Sequence, residues 1–178
     1  MSLTKQLSQM KTTKYTLLFL LCLNYISFYA QTAKEYYTSG NLKYKLKDYR
    51  GAIVDYDLAI GLNPNYFEVY NERGFSKDQI ADYVGAIDDF TKAIVLNGGT
   101  AETYYNRGFA KDEILNYKDA AQDYTKAIEL NPKYALAYYN RGIAKSNLQD
   151  KKGACEDWTR AGELGNMEVY SLKNKYCK

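Results

Sequence analysis

The sequence predicts an all-α fold, an α-solenoid of four helix-turn-helix repeats finished by a C-terminal capping helix. Three observations carry that expectation. The pentapeptide YYNRG at Tyr104 to Gly108 returns unchanged at Tyr138 to Gly142, one step of 34 residues later. Laid out at that step, the chain forms four rows, 33–66, 67–100, 101–134 and 135–168, whose glycines, alanines and aromatics fall in register. Segments such as YKDAAQDYTKAIEL space their apolar residues for one face of a helix. A fixed period of roughly 20 to 50 residues marks stacked supersecondary units, none of which can bury its apolar face alone.

Each row divides into two antiparallel helices. The first begins near an aromatic (Tyr36, Tyr70, Tyr104, Tyr138) and contains a glycine (Gly40, Gly74, Gly108, Gly142). Glycine inside a helix costs about 1 kcal/mol relative to alanine, so its return in four rows implies a packing need. The second helix opens after Asp48, Asp82, Asn116 or Asp150, whose side chains can accept from the free N–H groups of a helix start. It carries Ala52, Ala86, Ala120 or Ala154, then Ala59, Ala93, Ala127 or Ala161, with Tyr56, Phe90, Tyr124 or Trp158 between them. The small residues are expected where the two helices approach closely, and the aromatics in the wider gaps above and below. Pro64 and Pro132 close rows one and three, because proline cannot continue a helix. Row two ends instead in Asn97-Gly98-Gly99, expected to be the loosest junction. The last row needs a cover for its apolar face, and residues 167–177, with Val169, Leu172 and Tyr176 at helical spacing, supply a capping helix.

Residues 1–30 read as a signal peptide: Lys11 and Lys14 precede the uncharged, apolar run Tyr15 to Ala30. That run is shorter than the roughly 20 residues of a membrane span and is interrupted by Asn24. The expectation is an exported bacterial protein, periplasmic or secreted, with no membrane attachment after cleavage. The formal charge of +3 disappears with Lys5, Lys11 and Lys14, leaving 21 basic against 21 acidic side chains. No basic patch then argues for nucleic acid. The chain has no histidine, which removes the usual general base and the commonest zinc ligand. Neighbouring carboxylates such as Asp88 with Asp89, or Asp112 with Glu113, read as solvated helix surface, and Gly98-Gly99 lacks the spacing of a phosphate loop. No enzyme, cofactor or metal is expected.

The recurring positions resemble the tetratricopeptide repeat family, over residues 33–168. The resemblance implies nine helices in a right-handed superhelix. The chain departs from the family at Ser39, Arg73, Arg107 and Arg141, where a leucine is usual, and at Lys43, Lys77, Lys111 and Lys145, where a tyrosine is usual. The arginines stand sixteen residues before Asp89, Asp123 and Asp157, which reads either as interhelical ion pairs or as ligand contacts; row one has Ser39 with Asp55 and lacks the pair.

In this family the exposed side of each first helix lines a groove for extended peptides or partner helices. Carried over by position, the resemblance places Tyr37, Asn71, Tyr105 and Tyr139 in that groove. Asn41, Phe75, Phe109 and Ile143 lie one turn on, and Tyr44, Asp78, Asp112 and Ser146 extend the lining. The tyrosines are expected to be exposed anchors; Phe75 and Phe109 either join them or pack between first helices. A groove working by aromatic contact should keep its affinity as salt rises. The clamp with which some members hold the acidic tail of heat-shock chaperones is not expected, because its positions hold Tyr37, Asn41, Glu72, Glu102 and Asn106. The leading expectation is therefore a non-catalytic module for a protein or peptide partner. The alternative is a structural subunit of a cell-envelope complex using convex or end surfaces. Cys155 and Cys177 either form a disulfide that pins the cap, which an oxidising compartment allows, or remain two free thiols.

Overall fold

The computed structural model describes residues 32–177, and the signal segment expected over 1–30 lies outside them. The described residues form nine helices and no strand. They are α1 (32–45), α2 (Tyr49–Leu62), α3 (Phe67–Asp78), α4 (Tyr83–Asn97), α5 (Ala101–Glu113), α6 (Tyr117–Leu130), α7 (Ala135–Asn147), α8 (Lys151–Glu163) and α9 (Val169–Tyr176). From α2 onward each helix packs against the next in sequence, and the first helix α5 also touches the first helices on either side, α3 and α7. That arrangement is an α-solenoid whose inner wall is made of first helices.

The turn within each repeat has one construction. Asp48, Asp82 and Asp150 accept from the backbone N–H groups of Gly51, Gly85 and Gly153, and Asn116 accepts from that of Asp119. The same four residues donate their own N–H to the carbonyls of Lys43, Lys77, Lys111 and Lys145, closing the preceding helix. The residue between, Lys47, Ala81, Leu115 or Gln149, is left-handed with φ of 61° to 67° although none is glycine. Glycine takes that role between repeats two and three, where Gly98 and Gly99 have φ of 73° and 72° and Thr100 caps α5.

The core corrects one detail of the packing expected from sequence. The glycine of each first helix does not sit between ring-filled gaps; it lies directly against the ring. A Cβ built on Gly74 would stand 2.8 Å from the Phe90 ring, and one on Gly142 would stand 2.5 Å from the Trp158 indole. Tyr56, Phe90, Tyr124 and Trp158 are buried, together with the two alanines that flank each of them.

Across this contact runs a ladder of charge. Arg73, Arg107 and Arg141 each grip the aspartate sixteen residues later through Nε and Nη2, at 2.5 to 2.9 Å. Lys77, Lys111 and Lys145 add a second cation to Asp89, Asp123 and Asp157 at 2.7 to 2.8 Å. In the first repeat the Ser39 hydroxyl donates to Asp55 at 2.6 Å and Lys43 pairs with it at 2.7 Å, so that repeat also has an ion pair, through lysine rather than arginine. The third arginine nitrogen, Nη1, reaches back one repeat, to Asp57, Thr91 or Thr125. Each guanidinium also lies 5.5 Å from the ring of Tyr70, Tyr104 or Tyr138. The ion-pair reading of the arginines is therefore the one the structure adopts. Asp123→Ala, which leaves Arg107 and Lys111 without their anion, should cost about 3 kcal/mol in urea unfolding, the lower end for a broken buried pair. Lys126→Ala, which removes the exposed pair with Glu129, should leave the unfolding midpoint in place.

The open end of repeat four is covered by α9. Val169 is buried against Ala154, Trp158 and Ala161, with Leu172 beside them and the Tyr176 ring 5.9 Å from Trp158. Cys155 of α8 and Cys177 are joined by a disulfide, with Cα atoms 5.7 Å apart. The bridge closes a loop of 22 residues, a constraint the chain-entropy model values at roughly 3 kcal/mol. Alkylation of the non-reduced protein should leave both cysteines unmodified. After reduction, amides of α9 should exchange faster while those of α5 and α6 keep their protection.

Candidate protein-binding groove

Every side chain assigned to the groove from sequence lies on the first-helix wall, and every one is partly buried. The expectation of exposed tyrosine anchors is corrected accordingly. Tyr37 packs between the rings of Tyr56 and Tyr66, with centroids at 6.3 and 5.2 Å, and Tyr105 between those of Tyr124 and Tyr134, at 5.7 and 4.9 Å. Tyr139 and Ile143 pack on the Trp158 cluster. Phe75 meets Phe90 edge-on at 5.5 Å, so its ring belongs to the wall as well. These rings shape the groove by holding its floor; they do not stand out from it.

The polar groups divide by repeat. In repeat one, Asn41 accepts from the buried Tyr56 hydroxyl at 2.7 Å. Between repeats three and four, Asn140 donates to the Tyr105 hydroxyl at 2.9 Å. On α3 and α5 such pairing fails. Asn71 Oδ1, Asp78 Oδ1, Asn106 Nδ2 and Asp112 Oδ1 are shielded from solvent and have no hydrogen-bond partner, and the same is true of the Tyr124 hydroxyl behind α5. These five are all the buried unpaired side-chain atoms among the described residues. Buried polar groups in native proteins are overwhelmingly paired, so the collection of four of these five on α3 and α5, with Tyr124 of α6 behind them, is a property of that face.

Electrostatics mark the same place. Burial, reinforced by Glu113, pushes the Asp112 carboxyl up to about 6. Burial also raises Asp78, with Glu113 adding to it, and raises Glu72, with Glu102 adding to it. Asp112 is thus not the freely solvated carboxylate its adjacency to Glu113 suggested. None of these acids forms an ion pair with a lysine or arginine among the described residues. No group of three potential ligands there could hold a metal ion, and no described helix is long and apolar enough to cross a membrane. An open depression of about 400 Å³ lies along α1, beside Lys34, Glu35, Thr38, Ser39 and Leu42, and none of the unpaired atoms lines it.

Glu72 and Asn106, which reading by position set at the clamp positions, join the groove without a clamp, and Tyr124 is a groove group that such reading missed. A signal existed for Tyr124. The partner of the Tyr56 hydroxyl is Asn41, and the equivalent of Asn41 in repeat three is Phe109, which cannot accept.

Sequence models of the Tetratricopeptide repeat match residues 33–66, 101–134 and 123–156, together just over half of the chain. No curated protein matches it in sequence. Among solved structures it is similar to the MamA protein, at 29% identity over 79% of this chain and 78% of that one, with a TM-score of 0.76. The TPR domain of Arabidopsis OM64 is 27% identical over 66% of this chain and 98% of that one, at a TM-score of 0.64. The first TPR of Spaghetti (RPAP3), solved bound to an HSP90 peptide, shares the fold at 23% identity over 67% and 95%, with a TM-score of 0.65. The chain belongs to the tetratricopeptide repeat family.

Because the Asp112 carboxyl is raised above its value in an unfolded chain, its favourable contribution to folding is complete at low pH and is lost as pH rises through about 6. Asp112→Asn should therefore stabilise the protein at pH 7.5 and lose that advantage by pH 4.5, read from thermal unfolding at the two pH values.

Proposed function

We propose that this chain is a non-catalytic interaction module that holds an extended segment of a partner protein along its first-helix groove. The observation that carries the reading is the set of unpaired buried groups on α3 and α5. Asn71 and Asn106 offer an acceptor and a donor at the spacing of neighbouring first helices, which suits the backbone of an extended peptide. Tetratricopeptide folds act generally by protein contact, and the bound peptide in the RPAP3 structure is an instance of that fold holding one. The proposed setting is outside the cytoplasm of a bacterium. The apolar, uncharged run at residues 15–30 supports export, and so does a disulfide, which persists in oxidising compartments.

The rival is an envelope assembly subunit docked through the second helices, where Val54, Val84 and Val95 are exposed. An array of random dodecamer peptides probed with the full chain separates the two. Retention should fall at least tenfold for Asn71→Ala/Asn106→Ala, with urea unfolding unchanged, and stay level for Val84→Glu/Val95→Glu. Capture that survives the first pair and disappears with the second would replace the groove reading by the assembly reading.

A further inference from the structure

Charge in this protein is sorted by location. Asp55, Asp89, Asp123 and Asp157, on the second helices, take up Lys43, Lys77, Lys111, Lys145 and all three first-helix arginines. The groove face of α3 and α5 receives none of these cations, and it holds Glu72, Asp78 and Asp112, all partly buried. The Asp78 and Asp112 carboxylates each have one oxygen buried with nothing to accept from.

Tyr124 is an independent sign that the face is built for an occupant. Its side chain is 0% exposed, and its hydroxyl is unpaired. Its ring packs 5.7 Å from that of Tyr105 on α5, and the first electrostatic neighbours of the hydroxyl, after burial itself, are Asp112 and Tyr105, with Glu113 and Asp123 next. The matching hydroxyl of Tyr56 is satisfied within the protein by Asn41. Repeat three puts Phe109 at that position and leaves the hydroxyl unsatisfied. A buried carboxylate without a cation is costly, as is a buried hydroxyl without a partner, and a ligand that supplies N–H donors and positive charge removes both costs.

We infer that the groove of repeats two and three receives a lysine- or arginine-bearing segment of the partner protein, its cationic side chains seated on Asp78 and Asp112 with Glu72 on the approach. The inference rests on the groove reading above and adds the sign of the ligand's charge. It also reverses the salt tolerance expected from an aromatic groove: affinity should fall steeply with ionic strength, because the contacts that select the ligand are ionic.

Three fluorescein-labelled peptides of sequence GSXSGXSGXSGS, with X as lysine, glutamine or glutamate, test it by anisotropy against the full chain. The lysine peptide should bind at least tenfold tighter than the glutamine peptide, and the glutamate peptide weakest. The lysine advantage should shrink at least tenfold between 50 and 500 mM NaCl, and should vanish in Asp78→Asn/Asp112→Asn. That variant keeps side-chain shape and removes only charge, and its urea unfolding confirms that it folds. Equal binding of the lysine and glutamine peptides, lost in Asn71→Ala/Asn106→Ala, would overturn the charge assignment and leave the groove reading standing. A lysine advantage that persists in Asp78→Asn/Asp112→Asn would overturn the assigned seat. Failure of all three peptides to bind, or binding indifferent to every groove variant, would overturn both readings together.

Discussion

Each second helix carries one aspartate buried against its first helix, and the surrounding architecture keeps that negative charge satisfied. Asp89, Asp123 and Asp157 each receive a two-pronged guanidinium and an ammonium. The guanidinium is held flat by a tyrosine one turn earlier and reaches back to the preceding repeat. The lysine that supplies the ammonium also lends its carbonyl to the turn residue that caps the second helix. One anion therefore fixes the distance between paired helices, the geometry of their turn and the offset between repeats. Such a pair confers specificity of arrangement more than net stability, since an ion pair taken from water recovers little beyond its desolvation cost.

That economy leaves the groove with carboxylates and no internal cations. In a fold whose first helices touch along their inner wall, polar side chains at the seam can bond to each other, as Asn140 and Tyr105 do, or wait for something outside the chain. Among the described residues the second condition holds on α3 and α5, and at Tyr124 of α6 behind them. The location of function thus follows from which polar groups the scaffold declines to satisfy.

Much of this fold was legible from the period. A repeat of 34 residues with matching caps defined the helices, and the sixteen-residue separation of arginine from aspartate offered the ion pairs as one of two readings. The role of the lysines was not legible, although Lys43, Lys77, Lys111 and Lys145 recur as regularly. They stood out from sequence only as departures from the family pattern, and nothing in their spacing shows that a carboxylate, with two oxygens, has room for a second cation. The left-handed turn residues escaped notice because Lys47, Ala81, Leu115 and Gln149 share a backbone conformation and no side-chain property. The groove tyrosines were misjudged because a helical position on the inner face says nothing of how far a long ring leans back onto its neighbours. Only coordinates give that angle.

The seam between repeats two and three has a mechanical meaning. There two left-handed glycines stand where the seams on either side have a proline turn, and the reaching guanidinium of Arg107 finds the neutral Thr91, as that of Arg141 finds Thr125 one seam later. Asn71 and Asn106 leave the inner wall unlaced at the same level. The seam is tied on the second-helix side by Arg107 and left unbonded on the groove side, so a segment seated on α3 and α5 would supply the stitches that the inner wall lacks there.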